Sequence, residues 1–315
     1  MDTDFGSAVA RCLNQIPRGR VATCGAIARA LGDGRAAQAV ATWLTDHPET
    51  RRAHRVVRAD GRLLLQNAQD RLAGEGVAIA HGRVEAAQVL GPLRELEFLQ
   101  ELRKDQQRLA ANVLERDESD PIHLVGGVDV SYRDNEMFVA AASITVDALE
   151  CVEVVTIRRR VEFPYIPTYL AYREFPGIRD AVSRLSKRPD VLMIDGHGRL
   201  HPALFGVACY AGVALDMPTI GIAKNPLAGR SRSPGPRNRD TTSLWIGDTI
   251  CGIAWVPAGR SRAIYVSVGH RISLQMALAL ARSTTRFGYP EALRIADRVS
   301  NEMKRNEKRK KGVTR

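Results

Sequence analysis

The sequence predicts an α/β chain, a mixed sheet flanked by helices, with a winged helix-turn-helix domain ahead of it at the N-terminus. Three observations predict it. Two apolar, strand-like segments, Leu124–Val130 and Val191–Asp195, each contain a carboxylate. The segments after residue 120 read as three strands and then as alternating helix and strand, the pattern of a mixed sheet covered by helices. The N-terminal segment reads instead as a helix pair followed by a strand, a turn and a strand. At 315 residues the chain exceeds one ordinary core and calls for two domains. Boundaries are expected at 1–90, 91–304 and 305–315, the last a basic tail.

In the first domain, Phe5, Val9, Cys12, Leu13 and Ile16 share one face of a helix over 5–16. Short helices follow at 24–31 (Ile27, Leu31) and 35–46 (Ala36, Val40, Trp43, Leu44), joined by the turn Gly32-Asp33-Gly34. His54-Arg55-Val56-Val57, the turn Asp60-Gly61 and Leu63-Leu64-Leu65 complete a wing.

A long amphipathic helix is expected over 93–114. Strands are expected at 124–132, 137–147 and 151–162, then a helix over 168–186 interrupted near Pro176. A strand at 190–195, a helix at 202–214 and a strand at 218–223 come next. Residues 228–240, rich in Gly, Ser, Arg and Pro, read as a mobile loop. Strands at 242–246, 250–256 and 263–268 and helices at 271–282 and 289–304 finish the chain. No internal repeat is visible.

Composition narrows the class. Hydrophobic residues at 44% and charged residues at 26% give the balance of a soluble globular protein. The apolar runs are strand-sized, so no segment is expected to span a membrane. Met1-Asp2-Thr3-Asp4 is not a secretory leader, and a cytoplasmic location is expected. Five cysteines, an odd number without a C-x-x-C pair, argue against a disulfide framework and a zinc ribbon. The net charge of +11 suits a polyanion, and residues 304–315 concentrate seven basic residues against one Glu. That run reads either as a disordered phosphate-binding arm or as a solvated tail without a role.

The chemistry is expected where the strand acids lie. A lone buried carboxylate costs several kcal/mol unless it is paired. Asp129 and Asp195 on central strands would offset that cost by sharing a divalent cation, and oxygen ligands suit Mg²⁺. The alternative is an acid capping a turn. Glu174 and Asp297 are further acids on helices. Phe163-Pro164-Tyr165-Ile166-Pro167 is too proline-rich for a central strand. It is either an apolar wedge for stacked bases or a rigid connector.

Residues 94–304 resemble endonuclease V, the deoxyinosine-directed repair nuclease. The resemblance is carried, in order, by Gly127-Val128-Asp129-Val130-Ser131-Tyr132, by Pro164-Tyr165-Ile166-Pro167 with Arg173-Glu174, and by Asp195-Gly196-His197-Gly198 with His201-Pro202. Pro218-Thr219-Ile220-Gly221-Ile222-Ala223-Lys224 and Val268-Gly269-His270 complete it. It implies an RNase H-like fold and cleavage at the second phosphodiester bond 3′ to deoxyinosine. It implies Asp129 and Asp195 as ligands of Mg²⁺, for which Mn²⁺ can substitute, with Glu174 either completing the metal site or orienting the attacking water. Asp297 matches a late acidic or histidine position of the family. Tyr165 matches a strand-separating wedge, with Pro164, Ile166 and Pro167 around it. His201 and Lys224 match positions near the active site, Lys224 suited to offsetting transition-state charge.

Residues 4–80 resemble the DNA-binding domain of O6-alkylguanine-DNA alkyltransferases through Ile16–Ala28, His54-Arg55-Val56-Val57 and Asp60-Gly61-Arg62-Leu63. Ala53 stands where that family has its acceptor cysteine, which leaves no thiolate for alkyl transfer. Gln38 stands at the position of its intercalating arginine, and Arg35 and Gln38 are the candidate DNA contacts. DNA containing deoxyinosine or other lesions is the expected partner. RNA is the alternative substrate, and a non-catalytic lesion-binding protein the alternative class.

Overall fold

The computed structural model describes residues 3–118, 121–232 and 241–313, with side chains to residue 307. Two compact units form: residues 1–105 with 162–167, and residues 106–161 with 168–315.

In the first unit, helix α1 (Phe5–Leu13) starts at Asp4, whose carboxylate accepts from the Ser7 backbone N–H at 3.0 Å. Strand β1 (Ala22–Thr23) leads into α2 (Cys24–Ala30), capped by Thr23, and a turn leads into α3 (Ala37–Asp46). Strand β2 (Val56–Val57) pairs in parallel with β1. The expected wing is reduced to a single bridge between Val57 and Leu63. Helix α4 (Ala68–Ala73) and the hairpin β3 (Ile79–Ala80) and β4 (Arg83–Val84) follow. Phe5, Val9, Cys12, Leu13, Ile16, Ile27, Leu31, Val40 and Leu44 are all buried, as the helical periodicity predicts.

Helix α5 (Phe98–Ala110) is shorter at both ends than the apolar spacing suggests. Its chain then enters a sheet of nine strands among the described residues, made of β5 (Leu124–Arg133), β6 (Glu136–Thr145), β7 (Cys151–Arg160), β8 (Val191–Asp195), β9 (Thr219–Ala223), β10 (Arg230–Ser231), β11 (Thr241–Ile246), β12 (Thr249–Trp255) and β13 (Ile264–His270). The order is β10-β11-β12-β13-β9-β8-β5-β6-β7. Strands β5, β8 and β9 run parallel at its centre, and the other pairings are antiparallel. Of the expected mobile loop, Arg230–Ser231 is strand, and 233–240 lie outside the described residues.

Helix α6 (Leu170–Val182) runs through Pro176 without the expected break. Its packing through Ile178, Ala181 and Val182 continues beyond the proline and outweighs the lost backbone hydrogen bond. Helix α7 (Val207–Leu215) starts later than expected, because residues 201–206 first loop back to let the Gly206 N–H reach the Gly198 carbonyl at 3.0 Å. Helix α8 (Leu274–Ser283), the hairpin β14 (Thr285–Arg286) and β15 (Tyr289–Pro290), and α9 (Glu291–Val313) close the chain. Helix α9 takes up most of the segment expected to be a disordered basic arm. The stretch before Gly312 holds Lys, Arg, Glu and Met without proline, and Arg158 of β7 clasps Glu307 at 3.1 Å.

Strand alternation divides the core into two layers. Val125, Val191, Met193, Ile220 and Ile222 face the side covered by α8 and α9. Val128, Leu192 and Ile194 face α6 and α7. Where α9 crosses β5 there is no room for a side chain. A Cβ on Gly127 would lie 2.4 Å from the Ala292 carbonyl carbon and 2.6 Å from the Leu293 nitrogen. Backbone therefore rests on backbone. Gly127→Ala is expected to cost roughly 1–3 kcal/mol, since the added methyl must lift α9. Urea denaturation checks this, and an unchanged midpoint would refute the close seat.

Candidate active site

The parallel pairing of β5 and β8 ends at Val128 and Ile194. One residue further, Asp129 and Asp195 stand side by side at the carboxyl ends of the strands, where open α/β sheets bind ligands. Both alternate onto the α9 face, with Val125 and Gly127 on β5 and with Val191 and Met193 on β8. Asp195 pairs with Ile222 of β9, and Lys224 lies two residues beyond on that same face. Helix α9 supplies the third acid. Leu293 sits over Gly127, and four residues of helix rise about as far as two residues of strand, roughly 6 Å. Asp297 thus lies above Asp129.

The outcome is a cluster in which Asp129, Asp195 and Asp297 bring one carboxylate oxygen each within 4.8 Å of one another. The Lys224 Nζ donates to Asp195 at 2.8 Å and to Asp297 at 3.1 Å. Asp129 is buried and takes a hydrogen bond from the Ser300 hydroxyl at 2.5 Å. Ser300 is itself fixed: its carbonyl accepts from Ser131 Oγ at 2.9 Å. The sequence patterns did not single out Ser300. Its spacing of three from Asp297 puts it on the same helix face, the one available signal.

Burial and the charges of Asp195 and Asp297 push Asp129 up to about 6 despite the Ser300 bond. Burial would lower Lys224, yet the two carboxylates leave it raised. Three hard oxygen donors, with too little positive charge to balance them, fit a divalent cation.

Glu174, expected as a metal ligand, is not one of the three grouped acids among the described residues. Its helix, α6, covers the opposite face of the sheet. Its carboxylate accepts from the Tyr132 hydroxyl at 2.9 Å, and Arg173 lies over the Tyr132 ring at 4.2 Å. Burial foremost, then Asp129 and Asp195, push Glu174 up to about 8, so near neutrality its carboxyl holds a proton. His201 is buried with both ring nitrogens engaged: Nε2 meets the Thr168 carbonyl at 3.1 Å, and Nδ1 accepts from the Ala203 N–H at 3.1 Å. It braces its loop and has no ring nitrogen left for a substrate. His270 Nδ1 accepts from the Leu114 N–H at 3.2 Å.

In the expected wedge, Phe163 and Ile166 are buried and Tyr165 is 62% exposed. Ile166 therefore anchors the loop and cannot touch a lesion as it stands, while Tyr165 is presented between Pro164 and Pro167. In the first unit, Ala53 is fully buried. His54 Nε2 and the Arg55 guanidinium both engage Glu75 at 2.9 Å. Partial burial would raise Glu75, but these partners hold it at about 2. Burial pushes the Cys24 thiol up to about 11, so it is no thiolate substitute. Arg35 is exposed but forks onto Asp33 at 2.7 and 3.0 Å, and exposed Gln38 reaches Thr42 at 3.4 Å.

Two outcomes follow from the cluster. Ser300→Ala removes the hydroxyl that orients Asp129, and divalent-cation affinity should fall roughly tenfold or more, read by calorimetric titration. The pH dependence has a definite sign. Asp129 and Glu174 both have raised values, so their protons favour the folded metal-free chain at low pH. That contribution is lost as pH rises through about 6 and about 8. A cation held by the cluster must displace the Asp129 proton, so the Tm gain on adding a divalent cation should be larger near pH ~8 than near pH ~5. The reverse order would refute the assignment.

The profile of the family described as endonuclease V matches residues 107–298. The profile of the 6-O-methylguanine DNA methyltransferase DNA binding domain matches residues 4–79. An endonuclease V of Roseiflexus castenholzii is 39% identical over 206 residues, covering 65% of this chain and 92% of that protein. The solved endonuclease V of Streptomyces avermitilis is 33% identical with a TM-score of 0.61, covering 66% of this chain and 94% of the other. The endonuclease V of Ciona intestinalis, solved with a 24mer DNA containing an inosine followed by a ribo-adenosine, has a TM-score of 0.60. It covers 67% of this chain and 99% of its own, and at 22% identity the likeness is one of fold. No helix among the described residues is long and apolar enough to cross a membrane. A chain whose larger part matches this profile, and which aligns with nearly the whole of such a relative, belongs to the endonuclease V family, and it is an endonuclease with an alkyltransferase-type DNA-binding domain at its N-terminus.

Proposed function

We propose that the chain is a Mg²⁺-dependent DNA repair endonuclease that cuts the second phosphodiester bond 3′ to deoxyinosine. Residues 1–90 serve as a non-catalytic DNA-binding module, 91–304 as the nuclease and 305–315 as a basic tail. The observation that carries the reading is the cluster of Asp129, Asp195 and Asp297 within 4.8 Å. These acids would hold the cation, and Mn²⁺ can take the same ligands. Bound there, it supplies Lewis-acid charge against the phosphate oxygens. The chain's own groups do the rest. Lys224, already at the cluster, offsets the negative charge that builds on the phosphate. The Glu174 carboxyl, held by Tyr132, orients the attacking water. Exposed Tyr165, stiffened by two prolines, is the wedge beside the lesion, where unstacking costs least. A bound module at the N-terminus raises the local concentration of the nuclease on DNA.

A second reading is cleavage of inosine-containing RNA. It is favoured by the Ciona intestinalis protein, whose bound DNA carries a ribonucleotide directly after the inosine.

Competing inosine-containing DNA and RNA strands in one Mg²⁺ reaction separates the readings, and a strong RNA preference would displace the first. Asp129→Ala should lower cleavage of inosine DNA by at least about a hundredfold, with chelation doing the same. Parent-like cleavage by that variant would remove the metal assignment. With Ala53 in the acceptor position, labelled methyl should not move from O6-methylguanine DNA to the protein, and any label recovered on residues 1–90 would refute the non-catalytic role.

A further inference from the structure

The hairpin between α8 and α9 is built in a way that its own stability does not explain. Its loop has two residues, Phe287 at φ 51° and Gly288 at φ 76°, between the paired Arg286 and Tyr289. Positive φ at both positions is the type I′ geometry, which favours Asn-Gly or Asp-Gly. Gly288 is required, because a Cβ there would lie 2.5 Å from Arg260 Cγ. Phe287 is the opposite case. A bulky residue in the left-handed region is strained, and this one packs on almost nothing: it is 87% exposed. Folding therefore gains little from this side chain and is penalised by its backbone.

Its surroundings point to a polyanion with π-faces. Arg294, held by Glu291 at 2.6 Å, lies 5.4 Å from the Phe287 ring centre. Arg286, exposed, precedes it. Two residues on, the buried Tyr289 ring has the Arg260 guanidinium at 5.8 Å and the Lys224 ammonium at 5.2 Å. Lys224 is the cation that bridges Asp195 and Asp297. Four cationic side chains thus lie between the acid cluster and the exposed ring, with Arg294 paired to Glu291 and Arg286 Nη2 donating to the Ala148 carbonyl at 3.0 Å. Arginines that track phosphates beside an exposed ring are the parts of a single-strand binding surface.

We propose that Phe287 is a stacking platform for a base of the substrate strand beside the cleaved phosphate, with Arg260, Arg286 and Arg294 holding the adjoining phosphates. Phe287 acts as a positioning residue. The proposal rests on the nuclease reading for the identity of the strand, but on the hairpin alone for the stacking.

The test uses the full chain and a short single-stranded inosine oligonucleotide, with 2-aminopurine walked through the positions on either side of the inosine, in metal-free buffer. The parent should quench the probe at one position. Phe287→Asn suits the turn, so its Tm should equal or exceed the parent's, while the quench is lost and affinity falls roughly tenfold. Phe287→Trp should keep both. In Mg²⁺, Phe287→Asn should raise KM more than it lowers kcat. Parent-like quenching and affinity in Phe287→Asn would overturn the proposal. So would equal losses in the Asn and Trp variants with a lowered Tm. If the parent fails to cut inosine DNA while Phe287→Asn still loses the quench on an undamaged strand, the substrate reading falls and the stacking platform stands.

Discussion

Three carboxylates are forced together at the end of a buried sheet, and most of the second unit's construction answers to that repulsion. Asp129 and Asp195 are brought side by side by the register of β5 and β8, and Asp297 is brought over them by α9. Like charges this close, with one of them buried, raise the cost of ionisation, visible in Asp129 at about 6. Two devices hold the arrangement without a cation. Lys224 spans Asp195 and Asp297, and Ser300 donates to Asp129. Both lessen the repulsion without abolishing it. The residual imbalance makes the site receptive to a dication, since a site fully neutralised by its own side chains would gain little from binding one.

Glu174 answers to a different constraint. It approaches from the face that α6 covers and is engaged by Tyr132. The acids therefore fall into two groups by position, three around a common point and one, pushed up to about 8 mainly by burial, from the other face of the sheet.

The sheet, the helices and the two strand acids were legible in the sequence because buried parallel strands leave unmistakable apolar runs, and an acid ending one is conspicuous. The boundaries of α6 and α9 were less so. Pro176 reads as a breaker, yet packing of Ile178 and Ala181 carries the helix through it. The basic run after residue 304 reads as a disordered arm, yet a helix already seated on the sheet continues into it as far as Val313. The third acid of the cluster was the hardest to assign. Glu174 and Asp297 look alike as helix acids, and only the face of the sheet each helix covers separates them. His201 shows the converse difficulty. A histidine near a functional motif reads as chemical, but both its nitrogens are taken by backbone groups, which no local pattern reveals.

The seat of α9 on β5 has a consequence for tolerance to change. Because Gly127 meets Ala292 and Leu293 through main-chain atoms, the height of α9 above β5 at that crossing is set by backbone contact. Shrinking a core side chain nearby, at Val125 for instance, would leave that backbone contact in place. At this crossing the acids' helix and strand are held by main chain on main chain, so a larger residue at position 127 would act on the site through α9.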